Sequence, residues 1–280
     1  MRVRSGQADL AFDVFGTGGD GNGDGRAGGA GRADVVLLHA GVCDRRSWGG
    51  LVDALTKAGH RAVAFDRRGF GETVYVPEPH SSVDDTLAVL AAAGMGPAAV
   101  VGNSMGGRVA LDLALSHPDL VEALVLIGTA VRGAPDPAES SAAVDRLVAA
   151  IDTAEEAGDL DEVNRLEAHL WLDGPAGPEG RVGGEARALF MEMNGRALAA
   201  WDAGPDEPLA SAWDRLAEIE VPALVAVGEL DLPHIRARSA AIADLLPQGR
   251  LLELPGVAHV PTLEGSTLLT DEVCRFLAPP

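Results

Sequence analysis

The pentapeptide Gly102-Asn103-Ser104-Met105-Gly106 lies between a short apolar run, Ala98 to Val101, and a stretch of helical character that begins at Gly107 and continues through Leu115. The spacing is that of a strand turning abruptly into a helix, with the serine at the apex in a strained backbone conformation and its hydroxyl exposed. Glycine is needed on both sides because a side chain would clash where strand and helix approach. The start of the following helix aims backbone N–H groups and a positive dipole end at the same point, where an oxyanion would develop. These are the parts of a nucleophilic site.

A serine hydroxyl is a poor nucleophile at neutral pH and requires a base within hydrogen-bond reach and a third group that fixes the base's tautomer. Beyond a serine in this kind of turn, the acid and then the histidine are expected in chain order. Of the seven histidines, His259 is the one that follows Ser104, sits after a late strand-like run (Leu251 to Leu254) and precedes a final helix. His234 is a further competitor, His117 ends the helix after the serine, and His169 falls within an inserted helical stretch. His39 follows a strand and has a structural reading. For the acid, Asp231 exits the buried run Ala223 to Val227, with Glu229 as its rival two residues earlier. The exit of the preceding strand, Gly128 to Gly133, holds no acidic residue before Asp136. An oxyanion hole needs two N–H donors, one from Met105 and one from the loop His39-Ala40-Gly41-Val42-Cys43. Gly41 is assigned as the second donor, with Val42 as the alternative, and Cys43 is read as an inert thiol.

The elements that must position these residues follow a repeating order. Apolar runs at Val35–Leu38, Ala62–Phe65, Ala98–Val101, Ala123–Ile127, Ala223–Val227 and Leu251–Leu254 alternate with helical stretches at Trp48–Ala58, Val83–Ala93, Gly106–Ser116, Arg236–Leu246 and Thr267–Phe276. That alternation predicts a mostly parallel sheet flanked by helices, with residues 2–15 as a first pair of strands. Between Val131 and Ile219 it stops. Prolines and glycines divide that stretch into predicted helices at Ser141–Ala157, Leu160–Trp171 and Glu185–Trp201. The predicted organisation is a core of residues 1–131 and 220–280 with a helical lid of residues 132–219. Trp171, Phe190 and Met193, with Met191 and Trp201, could line a substrate pocket beneath the lid, although Trp and Met at helical spacing more often form core. Arg181, Arg187 and Arg196 in the lid could clamp a carboxylate, their ordinary reading being solvated surface.

Composition narrows the partners. The chain has 280 residues, 47% of them hydrophobic, and a formal net charge of -20. Nucleic acid and anionic membranes call for clustered Lys and Arg, so neither is expected as a partner, and a small uncharged substrate fits better. No apolar run is long enough to span a bilayer and the N-terminus lacks the pattern of a secretory signal, so a cytoplasmic location is expected. Cys43 and Cys274 are too far apart in sequence to suggest a disulfide framework or a zinc site. The glycine-rich stretch Gly16 to Gly31 reads as a mobile loop. Within it Asp20, Asn22 and Asp24 match the opening of a calcium loop, but Gly31 stands where the bidentate Glu belongs, so no metal is expected.

Five pieces in one order, Leu37-Leu38-His39-Ala40-Gly41 with Trp48 downstream, Asp66-Arg67-Arg68-Gly69-Phe70-Gly71, Gly102 to Gly107, Gly228-Glu229-Leu230-Asp231 and Ala258-His259-Val260-Pro261-Thr262-Leu263-Glu264, make the chain resemble the α/β-hydrolase superfamily over nearly its whole length. The resemblance implies a serine hydrolase with Ser104, Asp231 and His259 as its triad, no cofactor, and structural roles for Asp66 and Arg68. Within the superfamily the lid placement is similar to that of small esterases, enol-lactonases and hydrolases that cleave carbon–carbon bonds in ring-fission products. The last group typically carries Trp after its histidine, where this chain has Val260. Proline iminopeptidases typically carry Trp after the serine, where Met105 stands, and Ser104 argues against the epoxide hydrolases and haloalkane dehalogenases, which use an aspartate at that position. The resulting expectation is cleavage of a small neutral ester or lactone, with thioester, amide or carbon–carbon cleavage, or a ligand-binding role without catalysis, as alternatives. The oligomeric state is left open.

Overall fold

Apolar residues at consecutive rather than alternate positions mark strands covered on both faces. Val35 to Leu38, Ala62 to Phe65, Ala98 to Val101, Leu124 to Ile127 and Ala223 to Val227 are all buried. The computed structural model describes residues 1–16, 33–135, 140–207 and 211–279. Its strands are β1 (Arg2–Ser5), β2 (Ala8–Phe15), β3 (Asp34–Leu38), β4 (Arg61–Phe65), β5 (Val74–Tyr75), β6 (Ala98–Asn103), β7 (Val121–Ile127), β8 (Ala223–Gly228) and β9 (Gly249–Leu254). They form one sheet in the order β1-β2-β4-β3-β6-β7-β8-β9, with β5 pairing to β2. Every pair from β4 to β9 is parallel, and β2 runs antiparallel to its neighbours β1, β4 and β5. The calcium-like sequence Asp20–Gly31 lies outside the described residues.

The strand period of two divides the core. Val36, Leu38, Val100, Leu124 and Leu126 face one layer, with Val89 of α2 (Ser82–Ala92), Val109 and Leu113 of α3 (Met105–Ser116) and Ile242 of α7 (Pro233–Leu245). Val35, Leu37, Val101, Val125 and Ile127 face the other, with Leu51 and Leu55 of α1 (Gly49–Lys57) and Leu269 and Val273 of α8 (Thr267–Phe276). The predicted helices stand within three residues of these bounds. The pair Val74–Tyr75 was too short to register as an apolar run. Among the described residues no helix is long and apolar enough to cross a membrane.

Connection direction reverses between β3 and β6, since β3 leads to β4 on one side and β6 leads to β7 on the other. In open α/β sheets the crevice at such a switch point, outside the carboxyl ends of the strands, is where ligands bind. Here those ends deliver the His39–Gly41 loop and Ser104.

Between β7 and β8 the chain adds α4 (Ala142–Ala157), α5 (Leu160–Glu167) and α6 (Gly184–Leu198). Ser141 and Asp159 cap the first two by accepting the N–H groups of Val144 and Glu162, and Gly158 closes α4 in the left-handed conformation. The predicted helix Leu160–Trp171 departs from regular geometry after Glu167, and Ala168–Asp173 form a π-helical turn. The predicted helix Glu185–Trp201 stops at Leu198, and Trp201 is 85% exposed rather than packed in a core. The segment docks on the sheet through two apolar clusters. Val144, Ile151, Val163 and Leu166 meet Leu232 and Ile235, while Leu172, Phe190 and Met193 meet Ala40, Cys43 and Val260.

Backbones approach closely at Gly106, where a Cβ would fall 1.9 Å from the Leu38 carbonyl oxygen and 2.8 Å from that of His39. Both neighbours are backbone and cannot swing aside. Gly106→Ala is therefore expected to lower stability by about 3 kcal/mol or more, whereas Gly96→Ala, with nothing within 4 Å, stays within about 0.5 kcal/mol of the parent. Urea unfolding of the two variants measures this, and equal midpoints would contradict it.

Candidate active site

Ser104 sits at φ 53° and ψ -113°, a region L residues avoid, and caps the N-terminus of α3. The turn is sharp because β6 and α3 all but touch: a Cβ on Gly102 would come within 2.5 Å of the Gly106 carbonyl oxygen. Backbone hydrogen bonds hold the strained residue in place. The Ser104 N–H donates to the Ile127 carbonyl at 2.8 Å, and the Ala130 N–H donates to the Ser104 carbonyl at 3.1 Å. Asn103, buried beside it, donates from Nδ2 to the carbonyls of Ile127 (2.9 Å) and His259 (3.2 Å), linking the turn to the histidine loop.

His259 and Asp231 are both buried, and Nδ1 of the ring stands 2.8 Å from the Asp231 Oδ2. A carboxylate only accepts, so Nδ1 carries the proton and Nε2 presents a lone pair. The other Asp231 oxygen accepts the Leu232 N–H at 2.7 Å, which fixes the carboxylate plane. The rival Glu229 is turned elsewhere, accepting the Gly256 N–H at 2.9 Å. Neither the Ser104 hydroxyl nor Nε2 of His259 takes a hydrogen bond among the described residues. Gly128, at φ 51°, closes this space from the β7 side: a Cβ there would lie 3.0 Å from the imidazole and 3.1 Å from Asp231 Oδ2. Its place at a strand exit was its only signal in the sequence.

The model of the alpha/beta hydrolase fold family matches residues 34–266. The chain belongs to this family. Among proteins similar to it is a 2-hydroxy-6-oxononadienedioate/2-hydroxy-6-oxononatrienedioate hydrolase of Burkholderia vietnamiensis, 38% identical over 38% of this chain and 39% of that protein. Among solved structures, an esterase from Thermogutta terrifontis shares the fold with a TM-score of 0.74, 23% identity and coverage of 99% and 97% of the two chains. An enol-lactonase from Burkholderia xenovorans does so with a TM-score of 0.71, 24% identity and 96% coverage of each.

The β3 exit loop lies against the serine turn, Gly106 meeting the Leu38 and His39 carbonyls. Here Gly41 abuts the side chain of Met105, whose sulfur would lie 2.7 Å from a Cβ at Gly41. The Ala40 carbonyl accepts two hydrogen bonds, from His39 Nδ1 at 2.7 Å and from the Cys43 N–H at 3.2 Å. Because the peptide is planar and trans, anchoring that oxygen turns the Gly41 N–H to the opposite side. The N–H groups of Gly41, Val42 and Met105 have no partner among the described residues.

His39 is thus a structural residue, as its position suggested. Its Nε2 accepts the Arg67 N–H at 3.1 Å, so the ring is held as the neutral Nδ1–H tautomer. Burial first, and then the Arg67 guanidinium, push its pKa well below the usual histidine value. Burial also pushes the Cys43 thiol far above its usual range, which makes it an inert thiol.

Of the residues expected to line a pocket, Trp171 stands at the site, its ring 4.8 Å from that of His259. Phe190 and Met193 are fully buried behind the β3 loop, the Met193 sulfur accepting the Asp44 N–H at 3.4 Å. Two of the three arginines of the inserted segment are drawn into pairs with buried carboxylates, while Arg196 is solvated surface, half exposed beside an equally exposed Glu192. Arg181 pairs with Glu264, Arg187 with Asp173 and Arg196 with Glu192. The pairing partners of Arg181 and Arg187 are buried carboxylates, which sequence spacing gave no means of locating. Among the described residues no three His, Cys, Asp or Glu side chains converge to hold a metal ion.

The neutral state of His39 has a thermodynamic consequence. An unfolded histidine titrates near pH 6.5, so below about pH 6.5 the unfolded chain takes up a proton that folded His39 refuses. The contribution is complete above that pH and is lost as pH falls, by up to about 1.4 kcal/mol per unit. His39→Gln should therefore lose less stability than the parent between pH 7 and pH 5, as read by urea unfolding at both values. Parallel losses would contradict it.

Proposed function

We propose that the protein is a serine hydrolase that cleaves a small, uncharged carboxylic ester or lactone through an acyl-enzyme on Ser104. The observation that carries this reading is the buried hydrogen bond between Asp231 and His259 beside a serine in a strained turn. With Nδ1 engaged, Nε2 of His259 takes the Ser104 proton as the hydroxyl attacks the carbonyl carbon. The N–H groups of Met105 and Gly41 hold the oxyanion, and the positive end of α3 adds to the field there. His259 then hands its proton to the leaving alkoxide as the ester C–O bond breaks, and in the second half-reaction it draws a proton from water, whose oxygen attacks the acyl carbon; the acyl–oxygen bond to Ser104 breaks and His259 returns that proton to the serine oxygen. No cofactor takes part. Residues 132–219 serve as a lid over a core formed by 1–131 and 220–280, with Trp171 beside the reacting carbonyl and Phe190 and Met193 supporting the loop that carries Gly41.

An uncharged substrate is favoured on two grounds. The net charge of -20 lowers the local concentration of anions. Arg181 and Arg187, which could have reversed that locally, are each paired with a buried carboxylate, and Arg196 is a half-exposed surface group beside Glu192. A second reading, hydrolysis of a carbon–carbon bond, draws on the similarity to the ring-fission hydrolase, and the same residues would serve it.

A panel of neutral esters and lactones, with a vinylogous 1,5-diketone for the second reading, assigns the bond. Ser104→Ala should abolish turnover and labelling by a fluorophosphonate with the fold unchanged. Asp231→Asn should lower kcat by about 10⁴-fold, as the wrong tautomer is then held, and Glu229→Gln by less than about threefold. Turnover retained in Ser104→Ala, or the larger loss at Glu229, would overturn the assignment.

A further inference from the structure

The base is held from outside the core. Arg181, in the turn between the π-helical segment and α6, places one guanidinium across two parts of the chain. On the inserted segment its Nε donates to the Asp173 carbonyl at 2.7 Å and its Nη2 to the Leu172 carbonyl at 2.8 Å. On the histidine loop its Nη1 donates to the Gly256 carbonyl at 3.0 Å, and Nη2 also pairs with Glu264 Oε2. The second oxygen of Glu264, a side chain only 3% exposed, accepts the N–H of Ala258 at 2.7 Å. Ala258 is the residue before His259.

A second tie runs parallel to the first. The His259 N–H donates to the Trp171 carbonyl at 3.2 Å, so the π-helical turn accepts from the base residue itself. Asp173, fully buried, stiffens the turn that carries Arg181 by accepting the N–H groups of Gly180 (2.8 Å) and Val182 (2.9 Å) on either side of it. Gly174 lets the same turn press against the acid loop, since a Cβ there would come 2.5 Å from the Leu230 carbonyl oxygen. The acid and base loops of the core are therefore both seated against residues 171–181.

We propose that Arg181 is a positioning residue for catalysis: through Glu264 and the Ala258 N–H it sets the place of His259 relative to Ser104, so that the base is in register only while the inserted segment is docked. The proposal rests on His259 being the base. Arg181 touches no reacting atom, and its effect is on the geometry of proton transfer, where a displacement of about 1 Å costs on the order of 100-fold in rate. Guanidinium is suited to the task because its planar fork reaches carbonyls and a carboxylate at once, which an ammonium does not.

The test compares Arg181→Gln, Arg181→Lys and Glu264→Gln with the parent and with Arg196→Gln, whose exposed partner Glu192 lies away from the histidine loop. Three quantities are read: kcat and KM on one small ester, and the rate of fluorophosphonate labelling at Ser104. For Arg181→Gln the expected result is a fall in kcat of about 10- to 100-fold with KM within about threefold, a parallel fall in labelling rate, and partial recovery in Arg181→Lys. The double variant Arg181→Gln/Glu264→Gln should be no worse than the poorer single one, since both act through one link. Arg196→Gln should match the parent. Should the Arg181 variants fail to fold, the near-isosteric Glu264→Gln carries the test by the same split of kcat from KM. Parent-like kcat and labelling in folded Arg181→Gln, or a loss confined to KM, would overturn the inference and leave the serine-hydrolase reading standing. A parent enzyme that is not labelled at Ser104 would overturn both.

Discussion

The hydrogen bond between His259 and Asp231 is the contact around which the molecule is arranged. It joins two loops at the ends of β8 and β9, it is buried, and it leaves a single ring nitrogen, Nε2, unengaged. A buried carboxylate without a partner would be strongly destabilising, and a histidine free to flip would present either nitrogen. Gly128 leaves space for the pair, Asn103 ties the His259 carbonyl to the strand carrying Ser104, and the Leu232 N–H occupies the second carboxylate oxygen. Each neighbour removes one way for the pair to come apart.

A second constraint acts on the opposite wall. The Ala40 peptide is anchored by the neutral imidazole of His39, and that imidazole is fixed by a backbone N–H after β4. The orientation of the Gly41 N–H is thus decided by β3 and β4, and that of His259 by β9 and the inserted segment. Parallel strands make this possible because all their carboxyl ends open on one side of the sheet. Ser104, at the end of the central strand β6, receives both.

Much of this was legible in the residues. Gly102 and Gly106 flanking a serine demanded the close approach that the backbone contacts now show, and the apolar runs gave the strands to within two residues. Asp231 could be preferred over Glu229 from strand exits, but the pairing with His259 depends on the loop's curvature, which no spacing encodes. The role of Arg181 was hidden for a related reason. Its partners are backbone carbonyls 75, 9 and 8 residues away and a glutamate 83 residues away, and only the docking of the π-helical turn brings them together. Ala168-His169-Leu170-Trp171 has the composition of regular helix, and nothing in its spacing marks the π-helical turn that accepts the His259 N–H. Trp201 was placed in a helix that ends three residues earlier.

The central claim is that an acyl group passes through the Ser104 oxygen. Rapid quenching of a reaction with a slowly deacylating activated ester, followed by intact-mass measurement and peptide mapping, tests it most directly. The account predicts a transient mass increase equal to one acyl group, located on the peptide that holds Ser104 and gone once substrate is exhausted. Turnover with no adduct even when deacylation is the slow step, or an adduct on the peptide holding Cys43, would contradict it.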